Sequence, residues 1–404
     1  MDTALAEGLD PGQFSLTVYV LRPDFPAGKQ EQHGCFLHIS LADAYPFLLE
    51  RFLETDIVQV NGAFDPVVAN AAAAAGVPGI FEAMHQVEPG GMHPSIDAVF
   101  CVSELVRSVQ IHPNTVVIRN GIDTEKFSFL PGRRYTEQVS VVQVANPAKQ
   151  LYFELGEIAA EINRLEVHAF IVGKPGCHGI PSLGVVSNMA AVYQTADVLF
   201  LLAKQDAFGL VTAEAMACGT LPIISWDSGA ASFIVSGKNG WVVDKPEKAL
   251  AADTLRRAID TVATPEFIRM QRSARSTIVE RYSRKHMLEG YQNIYTAYAD
   301  RPRKPKQAPA AWMDLTLAAL LFRHGTDEAL NSLERFNRGT LPLEPHFLRH
   351  PMGRAAVGAV LKDCLMLATR GETTLPTGVC RRLRHSRVAS PLLDALEAKL
   401  GNPT

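Results

Sequence analysis

Short apolar runs alternate with amphipathic stretches from Ser15 to Tyr298, and the alternation falls into two series. In the first, the runs at 15–22, 56–61, 77–84, 96–103 and 115–119 have the length and β-branched content of strands. Between them, 41–53, 66–76 and 104–109 repeat at helical spacing, and a scrap of helix at 3–8 with a turn at Asp10-Pro11-Gly12 precedes them all. A polar break at 131–136 opens the second series. Here 139–144, 167–172, 183–186, 198–202, the run ending at Ser225 and 241–244 predict strands, while 151–164, 189–195, the stretch opened by Phe208-Gly209, 247–262 and 265–282 predict helices. Arg284–Tyr298, with Ser283 as its N-cap, adds one more amphipathic helix. Nearly continuous apolar strands separated by helices mean parallel sheets covered on both faces, so the fold class is α/β. Two such units in tandem place a ligand crevice between them, at the carboxyl ends of the strands. A Pro/Lys stretch from Arg301 then leads to a tail with helical patterns at 312–322, 327–336, 353–368 and 391–400.

One segment is chemically unlike the rest: Asp206-Ala-Phe-Gly-Leu-Val-Thr-Ala-Glu214, continued to Gly219. It reads as strand, polar loop with an acid, helix with a second acid about one turn in, and a glycine at the helix C′ position. A helix N-terminus after glycine suits an anion, because its free N–H groups and dipole both face the ligand. Glu214 there has the acceptor capacity for a cis-diol such as a ribose. On spacing alone, an ordinary α/β crossover with solvated acids is the reading to prefer.

Composition narrows the function classes. The chain has 404 residues, 47% hydrophobic and 20% charged, which is an ordinary globular mixture. No apolar run is long enough to span a bilayer and no signal-like region follows Met1, so the expectation is a cytoplasmic protein, peripheral at most to the inner face of a membrane. The net charge of −3 conceals an asymmetry: residues 301–404 hold 16 Lys and Arg against 9 Asp and Glu, leaving 23 against 33 before them. The basic extension is either a solvated surface or a contact for anionic lipid or protein. An acidic body without a basic-aromatic stripe excludes nucleic acid. The six cysteines have no paired spacing and predict neither disulfides nor zinc.

Three motifs then occur in order: Ile118-Arg-Asn-Gly-Ile-Asp123 with Phe127, Val192-Tyr-Gln-Thr-Ala-Asp-Val-Leu-Phe-Leu201, and the Asp206-x7-Glu214 segment. Together they resemble the retaining GT-B glycosyltransferases of family 4, over roughly residues 40–298. The resemblance implies two Rossmann-like halves facing a cleft that holds a nucleotide sugar. Residues 1–130 would form the acceptor-side half and 131–283 the nucleotide-sugar half. Residues 284–300 would be a helix crossing back onto the first, 301–310 a linker, and 311–404 a helical extension. It implies a metal-independent hexosyltransferase with no cofactor beyond its donor substrate, acting on a glycan, lipid-linked or small-molecule acceptor. By position, Glu214 corresponds to the acid holding the ribose, and Asp206 to the acid contacting the transferred sugar, where the family usually has Glu. Phe208, Gly209, Leu210 and Val211 correspond to the backbone reaching the sugar and distal phosphate, and Asn120 and Gly121 belong to the donor-binding set. Lys149 corresponds to the lysine of the diphosphate clamp, and His85 to a histidine near the reaction centre; without the motifs, His85 is an ordinary loop histidine.

The chain departs from that pattern in three places. The family's opening strand and glycine-rich loop have no counterpart, the clamp arginine is Val144, and the Gly-Gly-x-x-Glu turn is Ser228-Gly229-Ala-Ala-Ser232. Losing one charge-assisted contact to a diphosphate costs about 2–4 kcal/mol in the transition state. The departures raise an alternative from another class, a non-catalytic nucleotide-sugar-binding scaffold; a sugar-nucleotide epimerase accounts less well for Phe208–Val211. Among other constellations, His346-x3-His350 is flanked by Pro345 and Pro351 and lacks a third ligand, which disfavours a metal site. Arg381, Arg382, Arg384 and Arg387 read as a solvated helix face rather than a phosphate or lipid site, and Gly90-Gly91 as loop punctuation.

Overall fold

The computed structural model describes residues 2–22, 28–40, 44–61, 65–88, 95–130, 138–144, 149–158, 167–176, 179–262 and 264–306, and parts of 360–401. The patterns at 312–322 and 327–336, the pair His346 and His350, and Gly90-Gly91, Cys177 and Arg387 lie outside the described residues.

The first half opens with helix α1 (Asp2–Gly8) and a small sheet of β1 (Val18–Arg22), β2 (Gln30–His33) and β3 (Phe36–Ser40). β3 pairs in parallel with β1 and in antiparallel with β2. The β2–β3 hairpin escapes the sequence pattern because Gln30–His33 is entirely polar and exposed. Helix α2 (Ala44–Phe52) then leads into a parallel sheet of β4 (Ile57–Val60), β5 (Gly79–Met84), β6 (Ala98–Cys101) and β7 (Thr115–Val117), with α3 (Asp65–Ala75) and α4 (Glu104–Ser108) between strands. Because side chains alternate across a strand, this sheet builds two cores. Ile80, Met84, Val99 and Cys101 point to the main core, whereas Phe81, Ala83, Ala98 and Phe100 point to the other face.

The second half is a five-stranded parallel sheet. Its strands are β8 (Ser140–Val144), β9 (His168–Val172), β10 (Val198–Leu201), β11 (Leu221–Ser225) and β12 (Trp241–Val243), in the order β12-β11-β10-β8-β9. β8, β10 and β11 are buried at every position, as strands covered on both faces must be. Helices α5 (Met189–Thr195), α6 (Leu210–Ala217), α7 (Lys248–Val262) and α8 (Pro265–Arg281) complete it. The expected strand at Leu183–Val186 does not form. Its pairing is confined to one bridge, Ile171 to Ser182, with flanking bonds at Leu183 and Gly184. Gly184 (φ +65°) then turns the chain away, and Val185 is 94% exposed. Of the helix expected at 151–164, residues 151–158 are described: 151–154 are non-helical, with Leu151 in a bridge to Ala203, and Leu155–Ile158 is a 3-10 turn.

Helix α9 (Arg284–Ala299) leaves the second half and covers the free face of the first sheet. Tyr291 meets Phe100 edge-on at 5.6 Å, Tyr298 meets Phe81 at 4.8 Å, and the Tyr295 hydroxyl donates to Gln59 Oε1 at 2.6 Å. Leu5 and Leu9 complete this layer from the N-terminal end. The segment read as a linker is docked on the first half as far as it is described. The Arg303 guanidinium donates to the carbonyls of Phe52 and Thr55 at the end of α2 and of Ala75 at the end of α3, where a cation complements the helix dipole. Lys304 pairs with Asp97. Farther on, α10 (Thr374–His385) and α11 (Pro391–Leu400) form a helical pair in which Arg384 bonds Asp394 and Glu397. Among the described residues no helix is long and apolar enough to cross a membrane.

Candidate functional site

In the five-stranded sheet the strand order reverses between β8 and β10. In open α/β sheets such a reversal is where a ligand crevice forms, between the loops beyond the carboxyl ends of the two strands. Those loops carry Lys149 and Asp206. They pair briefly in antiparallel fashion: Leu151 bridges Ala203, the Tyr152 N–H donates to the Leu202 carbonyl at 2.7 Å, and the Lys204 N–H to the Gln150 carbonyl at 2.9 Å. At the open end of this pairing Lys149 Nζ donates to Asp206 Oδ2 at 2.8 Å, with both side chains largely shielded from solvent.

The Asp206 main chain is held from below. The Gly229 N–H donates to the Asp206 carbonyl at 2.7 Å, from the 3-10 turn Gly229–Phe233 that replaces the Gly-Gly-x-x-Glu element. A Cβ on Gly229 would stand 2.2 Å from the Ala207 carbonyl oxygen, so no larger residue fits. Asp227 Oδ2 accepts from the Tyr152 hydroxyl at 2.7 Å and from the Gln205 N–H at 3.2 Å. Val144, at the position of the family's clamp arginine, is buried in the sheet.

Helix α6 begins at Gly209, whose φ of +87° lies where a β-carbon is disfavoured. No side chain caps this end, and the first-turn N–H groups have no partner within the helix. Leu210 at the first position is 47% exposed, whereas Phe208 packs into the core against Phe233 and Tyr282 and offers only its backbone. Buried small residues (Ala213, Ala215, Ala217) let α6 lie close on the sheet. It ends as the pattern predicts, with Gly219 at φ +87° and bonds from Gly219 N–H to Met216 and Thr220 N–H to Ala215.

Glu214, one turn into α6, accepts from the Tyr193 hydroxyl at 3.3 Å. Burial pushes its carboxyl above the usual 4.5, opposed by the Tyr193 hydrogen bond and by Lys126. Burial, the Glu214 charge and the bond to it raise the Tyr193 phenol in turn. The Thr212 hydroxyl, also in the first turn, is buried without a hydrogen-bond partner among the described residues.

From the first half, His85 stands half-buried just beyond β5. Ser103 does two things: its Oγ accepts from the Val106 N–H, capping α4, and donates to the Ala207 carbonyl across the interface between halves. Asn120-Gly-Ile-Asp123 sits at the crossover. Gly121 packs so tightly on α9 that a Cβ would lie 2.5 Å from Arg284 Cα, and its N–H faces Met287 Sδ at 3.2 Å. Ile122 exchanges backbone bonds with Tyr282 and Arg284, and Arg275 donates to the carbonyls of Thr124, Phe127 and Ala217. That motif therefore secures the junction of the halves with its backbone. Sequence reasoning assigned no role to Ser103, Tyr152, Tyr193 or Asp227. Tyr193 lies inside the second of the three motifs, which is the one local signal for any of them.

Residues 180–274 match the family model described as Glycosyl transferases group 1, a span that takes in Asp206, Glu214 and Asp227 and stops short of Lys149 and His85. A stretch of 114 residues is 31% identical to N-acetyl-alpha-D-glucosaminyl L-malate synthase from Bacillus anthracis, covering 28% of this chain and 29% of that protein. The chain thus matches less than a third of that curated relative's length. In three dimensions it is similar to a glycosyltransferase from Rickettsia africae ESF-5, with a TM-score of 0.58 at 16% identity over 66% of this chain and 86% of the other. It is also similar to HepE of Anabaena, solved in complex with UDP, with a TM-score of 0.53 at 14% identity over 66% and 87% of the two chains. These likenesses show the GT-B fold, two parallel-sheet halves facing a cleft, here with a helical C-terminal region.

Proposed function

We propose that this protein is a group 1 glycosyltransferase that moves a hexose from a nucleotide diphosphate sugar to an acceptor, with retention and without a metal ion. The observation that carries the reading is the assembly of Lys149 and Asp206 at the switch point of the second sheet, beside the uncapped start of α6. A diphosphate seated there would draw the Lys149 ammonium from Asp206 and accept the N–H groups of Leu210 and Val211. Both contacts strengthen as the glycosidic bond breaks and negative charge grows on the leaving oxygen. Asp206, released from the lysine, would accept hydroxyls of the sugar and, with His85 from the facing half, orient it. Glu214 would take the ribose diol, exchanging its longer Tyr193 contact for two charge-assisted bonds. Retention follows if the acceptor attacks from the face the diphosphate leaves, with the leaving phosphate taking the acceptor proton. The UDP complex of HepE supports a nucleoside diphosphate as the leaving group. Val144 leaves Lys149 as the clamp's sequence-identified cation, so slow turnover is expected.

A thermal-shift panel of UDP, GDP and ADP sugars tests donor binding, since a ligand at about a hundred times its Kd adds about 2.7 kcal/mol of stability. Glu214→Ala should weaken nucleotide binding, and Asp206→Ala should chiefly lower turnover. Equal nucleotide affinity in the wild type and Glu214→Ala would sink the assignment.

A further inference from the structure

Asp206 and Lys149 are 57 residues apart, and their meeting depends on how two loops are held. The Asp206 loop is not relaxed. Gln205, immediately before the acid, has a φ of +47° and is alone among the described non-glycine residues in being positive. A residue in that region persists when its surroundings over-determine it. The surroundings here converge on one oxygen. Asp227 Oδ2 accepts the Gln205 N–H and the Tyr152 hydroxyl, so a single carboxylate atom ties the strained turn to the segment that carries Lys149. Asp227 is 7% exposed, and its other oxygen has no hydrogen-bond partner among the described residues. A buried carboxylate so incompletely satisfied is costly to keep.

We infer that Asp227 is a positioning residue for the reaction proposed above: with Tyr152 it locks the Gln205 turn so that the Asp206 carboxylate faces Lys149 and the donor crevice. It acts through the Gln205 turn and not by touching donor or acceptor. The bond to Asp227, with burial and the Asp227 charge, also raises the Tyr152 phenol to about 12. Because both donors meet the same oxygen, Asp227→Asn retains an acceptor at that point and turns its amide toward the unpartnered side. The negative charge is therefore dispensable to the anchor, and the oxygen is not.

The inference rests on the donor-site reading, and the experiment separates the two. Full-length wild type, Asp227→Ala, Asp227→Asn and Tyr152→Phe are compared for amide hydrogen exchange in a peptide containing Gln205 and for dissociation constants of UDP, GDP and ADP. Transfer or donor hydrolysis is measured with the corresponding nucleotide sugars. The expected result is faster exchange and a kcat reduced about ten- to a hundredfold in Asp227→Ala, as for other misplaced reacting groups. Nucleotide affinity should be nearly unchanged, because Glu214 and α6 are intact. Tyr152→Phe should show the same pattern in milder form, and it decides the matter should Asp227→Ala fail to fold. Asp227→Asn should restore exchange and kcat together. Unchanged exchange and kcat in Tyr152→Phe and Asp227→Ala would overturn the inference, as would an Asp227→Asn as impaired as the alanine variant. If the wild type binds none of the nucleotides, the donor-site reading fails, and exchange at Gln205 alone then upholds or overturns the anchor.

Discussion

The first-half parallel sheet runs in chain order, β4-β5-β6-β7, whereas the second-half sheet reverses between β8 and β10. Right-handed crossovers along an unreversed sheet stay on one face, so the other face needs a cover from elsewhere. In the first half that cover is α9, arriving from the far end of the second half with Tyr291, Tyr295 and Tyr298. The reversed sheet has helices on both faces and, at the reversal, two loops that meet through the Leu151–Ala203 bridge. The same kind of layer thus spends its carboxyl edge differently. In the second half it assembles Lys149, Asp206 and the start of α6. In the first half much of it goes into joining the halves, through Ser103 on Ala207 and Gly121 on α9. Topology decides how each edge is used.

Substitutions break or sharpen that comparison. The largest effect expected is on the borrowed layer. Tyr291 is 1% exposed, and Tyr291→Ala should cost about 3–5 kcal/mol in a chemical denaturation experiment, as large aromatic truncations do. If the second half binds donor by itself, nucleotide affinity at low temperature survives that loss. Next, Lys149→Ala should lower kcat/KM of transfer by about 2–4 kcal/mol, the usual worth of one preorganised group at a developing charge. A matching loss of ground-state nucleotide affinity would place the lysine's contribution in binding instead. Gly229→Ala forces a methyl onto the Ala207 carbonyl and should cost about 1–3 kcal/mol of stability, with turnover falling because the same backbone carries Asp206.

The smallest effect concerns Glu214. Burial raises its pKa above 4.5, so the folded protein holds the proton more tightly than the unfolded chain. Its ionisation therefore subtracts stability as pH rises through the raised value, and stability is recovered as pH falls below it. Glu214→Gln should raise the thermal midpoint of the ligand-free protein at neutral pH while weakening nucleotide binding about tenfold, or about 1.4 kcal/mol. Nucleotide affinity of the wild type should fall on acidification at a pH above 4.5, and that limb should vanish in Glu214→Gln, which isothermal titration across pH would show.

Much of the second half is legible in the chain because its instructions are local. A buried strand must be apolar, a helix ending in αL wants glycine, and Asp206 and Glu214 belong to one loop-helix segment; all three are visible within a short window. Where local rules mislead, the cause is a distant partner or its absence. Leu183–Val186 is apolar enough for a strand but finds one bridge and then Gly184. The polar Gln30–His33 has no strand pattern yet pairs with β3. Arg303 and Lys304 look like linker charges until the ends of α2 and α3 and Asp97 claim them.

By itself, then, the sequence determined most of the elements, the two parallel sheets that dominate the fold and the placing of Asp206 before α6 and Glu214 within it, because periodicity and capping act over a few residues. Only the tertiary structure decided that Lys149 meets Asp206, that Asp227 and Tyr152 hold the turn between them, and that Gly121 serves the junction with α9. Those contacts join residues 22 to 166 positions apart, and their geometry is set by strand order and loop pairing, which no local pattern encodes.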